Sequence, residues 1–227
     1  MKFACTGDTC DIRRTAAAAG GGRMSRVEDA FGASADSVMS TIPLALDVDT
    51  VRREFAQALP ALAGEGARFG IDGIRVTRYK PAKRCLIEYS VSLEQPDGTQ
   101  CATTLIGKIQ AKRFGKSGLR TLQAFWQRGF DANSGDRISV PEPIGHSDMF
   151  QMWLQRKVPG IVLTDLLTPQ SAALMAHIAE AAVKIHRSGA PTERAHGMAD
   201  ELRILRERLP KVAEAQPHLA ERIGAVL

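Results

Sequence analysis

The chain has 227 residues, 44% of them apolar and 24% charged, which is enough for one large domain or two small ones with a substantial core. That composition excludes collagen, wholesale disorder and a cystine-stapled miniature, and no apolar run approaches the roughly 20 residues that span a bilayer. The formal charge of +5 and the four cysteines, Cys5, Cys10, Cys85 and Cys101, which are not spaced as a disulfide framework or a zinc site, are those expected of a soluble cytoplasmic protein with reduced thiols.

Residues 1–45 hold a low-complexity Ala/Gly run at 16–22 among scattered polar residues. They read as a disordered extension lacking the apolar core of a secretory signal. From Thr50, the residues Val51, Phe55, Ala58, Leu59 and Leu62 keep helical spacing, with Asp49 or Thr50 placed to cap and Gly64, Gly66 and Gly70 to end the helix. The period then changes to two. Ile74 and Val76 lead to Tyr79. After an interruption at 80–84, Cys85, Ile87, Tyr89, Val91 and Leu93 alternate with Leu86, Glu88, Ser90 and Ser92, as in a strand with one buried face. Pro96-Asp97-Gly98 supplies a turn and residues 102–111 a third strand, so three consecutive antiparallel strands are predicted. Leu119, Leu122, Phe125 and Trp126 form the stripe of a helix ending near Gly129. Strands are predicted near Ile144 and over 149–158, and only helices thereafter, at 171–186, 200–209 and 218–226. Strands first and helices second predict an α+β chain, with a sheet lobe over 46–160 and a helical lobe over 161–227.

Across residues 75–128 there are eleven basic residues against three acidic ones, a local charge of +8 that leaves −3 elsewhere. A field so concentrated attracts phosphate on a nucleotide, a nucleic acid or a lipid. Gly115-Lys116-Ser117 lies between a strand and a helix but fails as a Walker A loop, because Gln110 stands where the leading glycine belongs and the interior is bulky. On the third strand Ile106 and Lys108 share one face and Leu105 and Ile109 the other. A lysine there either snorkels to an edge or meets an anion. Trp126 and Trp153, both in apolar periodic runs, read as core packing. His146-Ser147-Asp148 reads as a polar turn, since no Gly-x-Ser-x-Gly elbow occurs.

The order Tyr79-Lys80-Pro81-Ala82-Lys83-Arg84-Cys85-Leu86-Ile87-Glu88-Tyr89, the Pro-Asp-Gly turn, Leu105-Ile106-Gly107-Lys108, an amphipathic helix, Val140-Pro141-Glu142-Pro143-Ile144-Gly145 and Trp153-Leu154-Gln155-Arg156-Lys157-Val158-Pro159-Gly160 resembles the aminoglycoside phosphotransferase family, the kinase-like group that includes choline kinases. Ala181-Ala182-Val183-Lys184-Ile185-His186 is similar to the helix that ends in Leu-His there, and the resemblance spans about residues 70–190. It implies a kinase-like two-lobe fold, an antiparallel sheet lobe with one main helix followed by an incomplete all-helical lobe, and ATP as the nucleotide. By position, Lys80, Lys83 and Arg84 would cover the nucleotide with side-chain charge in place of glycine-loop amides. Lys108 would hold the α- and β-phosphates, with Ile106 facing the adenine. Gln155, Arg156 and Lys157 would form the hinge whose backbone reads the adenine edge.

Two departures limit the expected chemistry. Residues 116–130 contain no acid to orient Lys108. The family loop His-Gly-Asp-x-x-x-x-Asn is also missing: His196-Gly197-Met198 has Met198 for the Asp and Arg203 for the Asn, and His186-Arg187-Ser188 has Ser188 and Glu193 in those places. Asn133 is the only Asn, and Asp200 is the only Asp after Asp165. No catalytic or metal-binding residue is therefore assigned. Mg²⁺-dependent phosphoryl transfer to a small-molecule hydroxyl is expected of complete relatives, and this chain is expected to be inactive, truncated ahead of the loop with Leu202, Leu205, Leu209, Leu219, Ile223 and Val226 exposed. The rival readings are a pseudokinase-like scaffold and a non-enzymatic module contacting nucleic acid through phosphates. The latter is disfavoured because Tyr79, Tyr89, Phe114, Phe125 and Trp126 are not interleaved with the cations on one strand face.

Overall fold

The computed structural model describes residues 25–63, 68–95, 98–111, 117–162, 165, 168, 171–191 and 196–225. The chain divides into two compact units, Met1–Pro191 and Thr192–Leu227. Its architecture is mixed α+β, with sheet and helices first and helices alone afterwards. The first unit contains β1 (Arg26–Glu28), α1 (Ile42–Leu46), α2 (Val48–Ala58), α3 (Pro60–Ala63), β2 (Arg68–Lys80), β3 (Arg84–Glu94), β4 (Gln100–Gln110), α4 (Ser117–Trp126), β5 (Pro143–Ser147), β6 (Met152–Arg156) and α5 (Ala172–Arg187). The second contains α6 (Met198–Ala215) and α7 (Ala220–Gly224).

The six strands form one sheet in the order β1-β2-β3-β4-β6-β5, with β1 parallel to β2 and every other pair antiparallel. The three predicted strands are β2, β3 and β4. The two later ones hydrogen-bond to each other, and β6 adds to β4. Period-two alternation decides the faces: Cys85, Ile87, Tyr89, Val91 and Leu93 of β3 and Leu105 and Ile109 of β4 are all buried on one side. In β2 a bulge between Val76 and Arg78 adds one residue, which keeps Tyr79 opposite Cys85 and turns Arg78 opposite Leu86. The irregular spacing Ile74, Val76, Tyr79 is the trace of that bulge. At the β3–β4 turn Gly98 takes φ 82°, as its position in the turn requires.

Helix α2 covers the buried face. Asp47, one turn earlier than Thr50, caps it by accepting from the Thr50 N–H at 2.8 Å, while Asp49 pairs with Arg52. Phe55 meets Tyr89 edge-on at 5.0 Å between ring centroids and Phe150 at 6.4 Å. The Tyr89 hydroxyl donates to the Ala45 carbonyl at 2.9 Å. Disorder as far as residue 45 is thus corrected from Ser25 onward: β1 pairs with β2, and Ala33, Met39, Ile42 and Ala45 are core residues. Apolar residues spaced too sparsely to show a period still bury when tertiary packing supplies the opposing surface. Residues 1–24, the Ala/Gly run included, lie outside the described residues.

The first unit also runs past the expected boundary at 160. The Lys184 ammonium on α5 donates to Ser134 Oγ at 2.6 Å, Asp136 Oδ1 at 2.7 Å and the Ile138 carbonyl at 2.8 Å, and lies 4.4 Å from the Phe130 ring centroid. All three ammonium donors are used, which fastens α5 to the segment following α4. In the second unit α6 is longer than the predicted 200–209, continues through Pro210 and buries no residue; Leu202 and Leu205 are exposed, and Leu209, Leu219 and Ile223 are partly covered. Val226 lies outside the described residues. Among the described residues no helix is long and apolar enough to cross a membrane, and Cys85 and Cys101 are free thiols.

Tyr89→Phe tests the docking of the N-terminal segment on the sheet. Loss of the hydroxyl leaves the Ala45 carbonyl without its donor, and urea denaturation should show a loss of about 1–2 kcal/mol with the fold retained.

Candidate functional site

Register collects the basic segment onto the sheet face opposite the core. Arg75 lies opposite Glu88, Arg78 opposite Leu86, and Lys80 opposite Arg84. Lys108 lies between Leu86 on β3 and Trp153 on β6, and Ile106 between Glu88 and Gln155. Paired residues share a face. This open face therefore presents Arg75, Arg78, Lys80, Arg84 and Lys108 around a floor of half-buried Leu86, Ile106 and Trp153. Glu88 is the acid beside Ile106.

Glu88 is already engaged. It accepts from Arg75 at 2.9 Å and from the Lys157 ammonium at 2.7 Å. Burial raises its pKa, but the hydrogen bonds and charges of Lys157 and Arg75 outweigh that and leave it below the usual glutamate range. Among the described residues, Arg78, Lys80, Lys83, Arg84 and Lys108 have no ion-pair partner.

Lys108 differs from the other cations because it is half-buried. Its ammonium sits 4.2 Å from the Trp153 ring centroid, and burial holds it below the ordinary lysine range. Among the described residues no acid pairs with it, and the aromatic face beneath it contributes about 0.5–2 kcal/mol for such a contact. Trp153 is in turn braced by α4, where a Cβ on Gly118 would stand 3.4 Å from the indole. Trp153 is thus corrected from core packing to the floor beneath Lys108, while its neighbours Met152 and Leu154 are fully buried. On the core side, a Cβ on Gly107 would come 2.0 Å from Met152 Sδ and 3.0 Å from the Tyr89 ring, so glycine lets β4 lie flat where Lys108 projects.

The predicted hinge is partly reassigned. The Arg156 N–H donates to the Glu142 carbonyl at 2.9 Å and the Lys157 N–H to the Thr104 carbonyl at 2.8 Å. Both backbone donors are committed to the sheet and cannot read a base edge. The Arg156 guanidinium pairs with Glu142 at 2.5 Å and also bonds the Thr103 hydroxyl. Gln155 remains beside Ile106, and Lys157 reaches the open face only through Glu88. Lys80, Lys83 and Arg84 are exposed at the β2–β3 turn. The Gly115-Lys116 part of the rejected Walker sequence lies outside the described residues. Ser147 is buried, donating to Glu54 at 2.6 Å and accepting from the Phe150 N–H, which leaves no nucleophile there.

A cleft between α5 and residues 128–138 is lined by Arg128, Phe130, Asp136 and Lys184. Its lysine and aspartate are already paired with each other. The open face, with uncompensated cations over an apolar floor, is the better candidate for an anionic ligand. Among the described residues no cluster of three or more His, Cys, Asp or Glu could hold a metal ion. Compared with known proteins, the chain matches no family model, no curated protein and no solved structure.

Lys108→Met tests the cost of this lysine. The variant keeps the side-chain length, removes a poorly solvated unpaired charge, and should unfold about 1 kcal/mol less readily at pH 7. Because the folded pKa is lowered, the folded wild type sheds its proton before the unfolded chain does. Its penalty is full below the folded pKa and fades as pH rises toward the unfolded value, so the variant's advantage should shrink to nothing near pH 10.5.

Proposed function

We propose that the open sheet face binds the phosphates of a nucleoside triphosphate, ATP in the reading that follows from the resemblance to aminoglycoside phosphotransferases, and that Lys108 is its central contact. The observation that carries this is half-buried Lys108, which has a Trp153 face beneath it and, among the described residues, no carboxylate partner, with Arg78 across Leu86 from it and Arg84 at the same end of the sheet likewise unpaired. A desolvated cation without a counter-charge is unfavourable in the free protein and is relieved by an anion. The flanking Ile106, Leu86 and Gln155 offer an apolar floor with one amide, which suits a base rather than a second anion.

The order of elements supports the kinase-like reading: three consecutive antiparallel strands with Lys108 on the third, a helix, a strand added beside Lys108, then helices. In this reading the role of the hinge falls to Gln155 and the chain from Val158 onward, because the Arg156 and Lys157 amides are used in the sheet. The residues do not fit Mg²⁺: the described ones form no cluster of three or more metal-ligating side chains, and Asp200 is the only Asp of the sequence after Asp165. Phosphoryl transfer to a small-molecule hydroxyl therefore needs groups these 227 residues do not supply, and the function proposed for this chain is nucleotide binding without turnover.

Tryptophan fluorescence reports on this directly, since Trp153 lies under Lys108. ATP should give a saturable change, and Lys108→Met should weaken binding tenfold or more, about 1.4 kcal/mol. Equal affinity in the variant overturns the assignment. Steeply salt-dependent binding of single-stranded DNA, insensitive to ATP, favours the nucleic-acid rival instead.

A further inference from the structure

The turn joining β2 to β3 is built against its own residue preferences. The Lys83 N–H donates to the Lys80 carbonyl at 3.1 Å, closing a four-residue turn with Pro81 second and Ala82 third, and Ala82 has φ 50°. Proline fixes a negative φ, so this combination is a type II turn, whose third position favours glycine or asparagine. Alanine is disfavoured there and persists only when its surroundings hold it.

The hold comes from outside the hairpin. Asp36 Oδ2 accepts from the Ala82 N–H at 2.8 Å and from the Tyr79 hydroxyl at 2.8 Å, across more than forty residues of sequence. Its other oxygen accepts from the Val38 N–H at 2.8 Å and the Met39 N–H at 3.0 Å, which anchors it to the segment entering α1. These donors, Ala82 first and Tyr79 next, lower the Asp36 carboxyl to about 2, and Asp36 pushes the Tyr79 hydroxyl up to about 12. The carboxylate is charged throughout the physiological range, yet its donors among the described residues are all neutral. It fixes the turn without neutralising Lys80, Lys83 or Arg84. Lys80 and Arg84 lie opposite each other on the open face, and Arg84 is two residues from Leu86, the partner of Lys108.

We propose that Asp36 is a positioning residue for phosphate capture, locking the 80–84 turn so that Lys80 and Arg84 stand unpaired on the face that carries Lys108. The proposal rests on the nucleotide reading above. It makes the N-terminal segment, remote in sequence from every cation of the site, part of the binding machinery. Loss of the lock frees the turn to leave the left-handed conformation at Ala82, and the two cations then spend less time where phosphate oxygens would meet them.

Calorimetric titration of wild type, Asp36→Ala, Asp36→Asn and Tyr79→Phe with ATP and with adenosine, beside amide exchange at Ala82 and Lys83, separates the possibilities. Asp36→Ala should speed exchange at Ala82 at least tenfold and weaken ATP at least fivefold, with adenosine affinity unchanged. Tyr79→Phe should lose less in the same direction, and Asp36→Asn should recover part of the loss. If wild type and Asp36→Ala bind ATP equally, or if adenosine weakens as much as ATP, the positioning role is wrong and the nucleotide reading stands. Failure of wild type to bind ATP overturns both. Should Asp36→Ala not fold, Tyr79→Phe and Asp36→Asn decide by the same comparison.

Discussion

The register of β3, β4 and β6 is the constraint on which everything else here depends. Because side chains alternate along a strand, the pairing that buries Ile87, Leu105 and Leu154 also places Leu86, Lys108 and Trp153 in one row on the other face. A slip of one residue would bury the lysine and expose the core. The apolar face therefore fixes the position of Lys108 more firmly than any contact the lysine makes itself. Close packing under Gly107, where even a methyl group would collide with Met152, leaves little room for an alternative pairing.

Charge is arranged on that scaffold in two ways. Arg75, Glu88 and Lys157 form a satisfied chain that ties β2, β3 and the end of β6 together. Among the described residues Arg78, Lys80, Arg84 and Lys108 are left uncompensated, which is unfavourable for the empty protein and favourable for a bound anion. The turn that carries two of these cations is held by Asp36, whose charge is directed to an amide and a hydroxyl. An acid placed among the cations would have neutralised them. Placed behind the turn, it orders them without reducing the field.

Much of this was legible in the sequence, for physical reasons. The alternation in 85–93 and the apolar spacing in 51–62 are direct consequences of one-sided burial, so β3 and α2 could be found without any tertiary information. Lys108 stood out because it shares a strand face with Ile106 and falls where the family the sequence resembles has its phosphate lysine; the pattern alone fitted a rim lysine as well. What could not be read were facts created by pairing. The bulge after Val76 moves Arg78 to the open face, and nothing local announces it. Trp153 resembled a core residue until β6 paired with β4. Residues 25–46 lacked a period because their few core side chains sit on short, separate elements, none long enough to repeat a spacing. Asp36 was invisible for the same reason: its partners, Tyr79 and Ala82, are near it only in space.

The most direct test of Lys108 as the phosphate contact is its own titration, followed by carbon-13 NMR of ε-labelled lysine and assigned by comparison with Lys108→Met. In the free protein its pKa should lie below the ordinary lysine range, because burial disfavours the ammonium. Saturating ATP should raise it, since an adjacent phosphate favours the charged form. A Lys108 resonance whose pKa and shift are the same with and without ATP, while other lysines respond, would contradict the central assignment.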